Sequence, residues 1–159
     1  MLAANTFKTI IENMPVFAMD LVVINEYNEL LLGKRLNPPA KDYWFVPGGR
    51  VFKNESLVNA FKRVSANELG SQYELSQATL LGVFEHFYDD SVFDSAISTH
   101  YINATHFLKV NSDDLNLPIN EQHQCYRWLK MSTIEPDTSI HPYSKVFMPS
   151  LLKAMAASE

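Results

Sequence analysis

Cysteine is almost absent: the 159 residues hold one, Cys125. A lone cysteine forms no internal disulfide and leaves no multi-cysteine zinc cage, so Cys125 reads as an unreactive strand residue. Glycine is scarce as well, 5 in all, and no glycine-rich linker, repeat or low-complexity tract interrupts the chain. No apolar run approaches the roughly 20 residues that a membrane helix needs. The N-terminal stretch MLAANTFKTIIENMP has no basic segment leading into an apolar one, so no signal peptide is expected. Basic residues are outnumbered, 13 against 18 acidic, and the formal net charge of −5 argues against a generic nucleic-acid-coating surface. The expectation is a single domain over residues 1–159, cytoplasmic, with neither nucleic acid nor membrane as partner.

What is present is apolar and aromatic material: 47% hydrophobic residues, with 10 Phe and 7 Tyr, which excludes disorder and coiled coil. Phe7, Ile10, Ile11 and Met14 fall at helical spacing behind a capping Asn5, and Pro15 ends that segment. The runs 16–25 and 30–35 suit a hairpin, and the prolines of 37–43 mark a loop. A helix is expected from Ser56 to Leu69, with Leu57, Ala60, Phe61 and Val64 in one stripe and Gly70 as its stop. Further strands are expected over 79–88, 97–110 and 125–131. The stripe Val146, Phe147, Leu151, Leu152 and Met155 forms a closing helix that Pro149 kinks or delays. Strands outnumber helices and one helix separates two strand groups, which predicts an α/β (α+β) architecture with a mixed sheet between helices.

The stretch from Gly48 to Gly70, GGRVFKNESLVNAFKRVSANELG, is a glycine turn, a polar loop and a helix carrying Glu55, Arg63 and Glu68. Two glycines after a proline bend the backbone tightly and can bring out a carbonyl oxygen. A helix carboxylate facing that oxygen would complete a hard, oxygen-rich cation site. From the residues alone the same stretch is also an ordinary turn followed by a helix with solvated charges.

In spacing, Gly49, Glu55, Arg63, Glu68 and Gly70 resemble the Nudix box, Gly-x5-Glu-x7-Arg-Glu-U-x-Glu-Glu-x-Gly-U with U a bulky apolar residue. The departures are Val64 and Asn67 in place of two of the acids, and Ser65 and Ser71 in place of apolar residues. The loss of two carboxylates removes the usual base and leaves charge enough for fewer metal ions. Around the box, GKR (33–35), YWFVPGGR (43–50), EHFYDD (85–90), THY (99–101) and LPINEQHQCYRWL (117–129) make the chain similar to the divergent Nudix hydrolases that cleave GDP-mannose at the glycosyl carbon. The similarity runs from about Pro15 to Leu129 and implies the Nudix fold, a mixed sheet sandwiched between helices.

The resemblance implies one Mg²⁺ (or Mn²⁺) per subunit, held by the carbonyl of Gly48, the carboxylate of Glu68 and the side chain of Gln122. It implies that Glu55 and Arg63 pin loop to helix as an ion pair. His123, in a loop between strands, would be the general base; imidazole titrates near 6.5 and accepts a proton at neutral pH. Arg35 and Arg50 would take the charge of the departing diphosphate. Asp20, His86 and Tyr101 would line the sugar or support the leaving group, and Phe7 would stack on guanine, across a homodimer in one arrangement. From the residues alone, Asp20, His86, Tyr101, Phe7 and His123 are also a strand-edge charge, a satisfied core histidine, two packing aromatics and a solvated loop histidine. The implied reaction is hydrolysis of GDP-mannose, with GDP-glucose a further candidate, by water attacking the anomeric carbon with inversion. The alternatives are ordinary Nudix attack on phosphorus of a nucleoside diphosphate derivative, and a non-catalytic nucleotide-sugar sensor.

Overall fold

The computed structural model describes residues 2–158. A helix, α1 (Ala4–Asn13), precedes strands β1 (Val16–Ile24) and β2 (Glu29–Arg35) and the short strands β3 (Trp44–Phe45) and β4 (Gly48–Arg50). Helix α2 (Leu57–Leu69) follows, then β5 (Ala78–Tyr88), β6 (Thr99–Lys109), β7 (His123–Lys130), the single turn α3 (Met131–Ile134) and α4 (Met148–Ala157).

The strands form one mixed sheet in the order β3-β2-β1-β6-β5, with β4 added to β1 and β7 to β2. β1 runs parallel to β6 from Val16 to Ile24, and the other pairs are antiparallel. β1 and β2 meet at Ile24 and Leu30. Beyond that point they part: the start of β1 pairs with β4 and the end of β2 with β3, while β7 runs along β2 from Glu29 to Arg35. The splay opens a wedge in the sheet, and the site lies there.

β1 is buried along almost its whole length because both of its faces are covered. Val22, Ile24, Leu30 and Leu32 pack with Phe107, Ile134, Phe147 and Leu151 on the side of α3 and α4. Met19, Leu21, Val23 and Leu31 pack with Ala60, Phe61, Val64 and Leu69 of α2 on the other. The alternation follows from the two-residue period of a strand.

The ends of α2 are those the sequence specifies. The Ser56 side chain accepts a hydrogen bond from the Asn59 amide at 3.2 Å, and Gly70 closes the helix at φ 68°. α1 differs: Ala3, not Asn5, precedes its first residue, and Met14 lies beyond its end in extended backbone. Pro149 sits in the first turn of α4, where its missing N–H has no partner to lose, so it starts the helix instead of kinking it. β7 begins at His123, two residues before the expected strand, because Arg35 of β2 pairs with His123 across a register shift.

Candidate functional site

β4 approaches α2 and β1 closely enough that a side chain is excluded at Gly48 and crowded at Gly49. A β-carbon on Gly48 would stand 2.6 Å from the Met19 carbonyl and 2.7 Å from Oδ1 of Asp20. One on Gly49 would stand 3.2 Å from Cγ2 of Val64. Leu21 N–H donates to the Pro47 carbonyl and Val51 N–H to the Phe17 carbonyl, so the hydrogen-bonded pairs are 21–47 and 17–51. Gly48 pairs with Asp20 between them, and in an antiparallel ladder its carbonyl therefore points away from β1.

The loop from β4 to α2 is held by Glu55 and Arg63. Arg63 Nε and one terminal nitrogen donate to the two Glu55 oxygens at 2.7 and 2.8 Å, and the same terminal nitrogen donates to the Arg50 carbonyl at 2.8 Å. The second Glu55 oxygen also accepts from Phe52 N–H. The Arg63 guanidinium lies over the Phe52 ring, 3.8 Å from its centroid. This bidentate pair ties the helix to the strand that carries Gly48.

A cavity of about 330 Å³ opens beside β4. Eight of the residues singled out from the sequence line it: Phe7, Asp20, Arg35, Gly48, Arg50, His86, Tyr101 and Gln122. Asp20, His86 and Tyr101 sit on one face of neighbouring strands, and Arg35 comes from the far side of the wedge. Arg35 Nε donates to the Pro39 carbonyl at 2.8 Å, which folds the proline loop over the guanidinium. Arg50 lies over the Phe7 ring of its own chain, 3.9 Å from the centroid. Asp20 is buried, not a solvated strand-edge charge, and Oδ2 has no hydrogen-bond partner. Burial pushes its carboxyl up to about 7 against the opposing pull of Arg35.

Glu68 and His123 stand one layer behind that wall. Gln122 Nε2 donates to Glu68 Oε1 at 2.6 Å, leaving Oε2 of Glu68 buried without a partner and the amide oxygen of Gln122 free of that contact. Burial raises the Glu68 carboxyl to about 7, again opposed by Arg35. His123 is 1% exposed and begins β7, which corrects its expected place in a loop between strands. Its Nδ1 lies 3.3 Å from the Tyr126 hydroxyl, which itself donates to the Pro118 carbonyl at 3.0 Å; Nε2 has no partner. Burial and the nearby Arg35 hold the imidazole well below its ordinary value, at about 4. The 3.8 Å between Nδ1 and Glu68 Oε2 is therefore no ion pair, since the ring is neutral.

The donor set suits a hard divalent cation: an outward carbonyl at Gly48, the unpartnered Oε2 of Glu68 and the amide oxygen of Gln122. Among the described residues no group of three or more His, Cys, Asp or Glu is arranged to hold a metal. A cation here would complete its coordination with substrate and water oxygens. Val64 is buried against Gly49 and Asn67 is exposed, so Glu68 is the acid that the helix brings to this place.

Sequence reasoning missed Tyr88 and Asn103, which also line the cavity, and Tyr143, which backs it. Asn103 follows Tyr101 by two residues on β6, and strand parity alone puts both on one face. Tyr143 carried no such signal, because a loop after β7 brings it in.

Residues 14–151 match the NUDIX domain family. The low-salt glycan biosynthesis protein Agl8 of Haloferax volcanii is 41% identical over 146 residues, 91% of this chain and 87% of that protein. A MutT NUDIX hydrolase from Burkholderia pseudomallei superposes with a TM-score of 0.70 at 22% identity, over 87% of this chain and 99% of its own. The NUDIX domain of Shewanella oneidensis NrtR, solved with ADP-ribose, gives 0.67 at 12% identity, over 97% of this chain and 99% of its own. At such identities the likeness is one of fold.

Proposed function

The chain belongs to the NUDIX domain family, and we propose that it hydrolyses a GDP-sugar, GDP-mannose in the first instance, to GDP and free hexose. The observation that carries this reading is the thinned acidic set on α2: Val64 is buried against Gly49, and Glu68 is the one box acid left on the helix, held by Gln122 of the cavity lining. Attack on phosphorus in the ordinary manner draws on more carboxylates than this site has. The relative named for glycan biosynthesis supports a sugar-nucleotide context.

In this reading Gly48, Glu68 and Gln122 hold Mg²⁺, which when bound supplies positive charge to the diphosphate. Arg35 and Arg50 line the same cavity and grip the diphosphate oxygens, bidentately where geometry allows. Asp20, His86 and Tyr101 face the hexose. His123, neutral at pH 7, accepts a proton from water whose oxygen bonds to the anomeric carbon as the carbon–oxygen bond to the diphosphate breaks. Because His123 is buried and does not line the cavity, the loop that ends at Gln122 has to shift for the ring to reach that water. A diphosphate whose developing charge is taken up by Arg35 and Arg50 leaves without a protonating acid, so a pair of carboxylates of the glycosidase type is not required.

The test is hydrolysis in ¹⁸O-labelled water with GDP-mannose and Mg²⁺. Label recovered in the hexose supports the reading. Label in phosphate, with hexose phosphate as product, replaces it with ordinary Nudix chemistry, and tight binding without turnover makes the protein a sensor.

A further inference from the structure

His86 lines the cavity, with one ring nitrogen bound within the protein and the other left without a partner. Its Nδ1 lies 2.6 Å from Nδ2 of Asn103 on the neighbouring strand, and both residues are buried. The ring lies flat on Tyr143, with centroids 4.3 Å apart and planes 5° from parallel. Tyr143 is itself clasped, since its hydroxyl accepts from the Phe87 N–H at 2.9 Å and donates to the Phe87 carbonyl at 3.0 Å. Phe45 and Tyr88 close on the ring edge-on. Nε2 is buried and has no hydrogen-bond partner, in a residue that lines the cavity.

The nitrogen of a carboxamide offers only hydrogens, so Nδ1 must present its lone pair to Asn103. Burial, with His141 nearby, holds the His86 imidazole at about 4, and a neutral ring carries one N–H. We infer that Asn103 and Tyr143 are positioning residues that lock His86 as the Nε2–H tautomer, a fixed donor to a hydroxyl or ring oxygen of the bound hexose. Asn103 sets which nitrogen carries the proton, and Tyr143 sets where the ring points. A lone pair on Nε2 would instead repel the oxygen it faces. The identity of the ligand rests on the GDP-sugar reading; the tautomer does not.

The full chain, labelled with ¹⁵N in its imidazoles, reports the tautomer without any substrate. His86 is assigned through its contact with the Asn103 amide protons. The expected pattern is a pyridine-type Nδ1 and a pyrrole-type Nε2. The variant Asn103→Asp, which puts an acceptor beside Nδ1, moves Nδ1 to the pyrrole-type position. Addition of GDP-mannose without divalent cation then shifts the Nε2 proton and leaves Nδ1 pyridine-type in the parent protein. A pyridine-type Nε2 in the parent protein overturns the inference without recourse to any variant, and so does an Nε2 proton that stays still when GDP-mannose is bound. If the tautomer is as stated but no GDP-sugar binds, the functional reading fails and the positioning stands. If GDP-mannose is hydrolysed with the opposite tautomer, the positioning alone fails.

Discussion

Gly33 and His123 share one space: a β-carbon on Gly33 would stand 2.4 Å from Cδ2 of His123 and 2.5 Å from its Cγ. The imidazole is buried between β2 and β7 because position 33 has no side chain.

Gly33→Ala forces either the ring or the strand to move. Overpacking of this kind costs about 1–3 kcal/mol. The urea midpoint is expected to fall by that free energy divided by the slope, with the slope unchanged and turnover falling alongside. An alanine variant as stable and active as the parent would show that the His123 ring does not need this seat.

His123→Gln keeps a polar side chain at the start of β7 and removes the proton acceptor. Turnover of GDP-mannose should drop by about 10²- to 10⁴-fold, the usual worth of a general base. Steady-state kinetics at saturating substrate measure it, and undiminished turnover would take His123 out of the mechanism.

Glu55→Gln breaks the bidentate grip on Arg63, which also holds the Arg50 carbonyl and rests on Phe52. A partly buried charged hydrogen bond left short of its partner costs about 1–3 kcal/mol. Hydrogen bonding from Arg63 holds the Glu55 carboxyl below its ordinary value of 4.5. A lowered carboxyl contributes its stability above the unfolded value and loses it as pH falls through the folded one. The stability gap between parent and variant is therefore full at pH 7 and closes in acid below 4.5. Denaturation curves at several pH values check this, and a gap independent of pH would contradict it.

Glu68→Gln tests the cation site without reference to turnover. A ligand that binds only the folded state stabilises it by about 2.7 kcal/mol at a hundred times its dissociation constant. Mg²⁺ should raise the thermal midpoint of the parent chain and leave that of the variant in place. An equal rise in both would put the ion elsewhere.

Phe7→Leu removes the ring that lies 3.9 Å under the Arg50 guanidinium. A cation–π contact of this type is worth about 0.5–2 kcal/mol, so KM should rise roughly 2- to 30-fold with little change in kcat. A fall in kcat at constant KM would contradict a positioning contact.

Legibility followed locality. α2 could be read from Ser56, its apolar stripe and Gly70, because cap, face and stop all lie within a few residues of one another. Eight of the cavity residues could be named because the resemblance carried their positions, not because the residues announced a cavity. The cap at Asn5 failed because the helix is capped two residues earlier, at Ala3, leaving Asn5 inside the first turn, where its carbonyl accepts from the Thr9 hydroxyl. His123 read as a loop residue because its neighbours are polar; pairing with Arg35 makes it the first residue of a strand.

The linear chain determined the strand periods, the ends of α2, and the replacement of two box acids by Val64 and Asn67. The tertiary structure decided which carboxyls lose their water and which ring nitrogen of His86 bears its proton. Those properties come from groups that the sheet brings together from distant segments. Asp20 and Glu68 are raised by burial under other elements, and His86 is held by Asn103 from one strand and Tyr143 from a loop beyond the sheet. Desolvation and hydrogen bonding depend on neighbours in space, and here those neighbours lie far away along the chain.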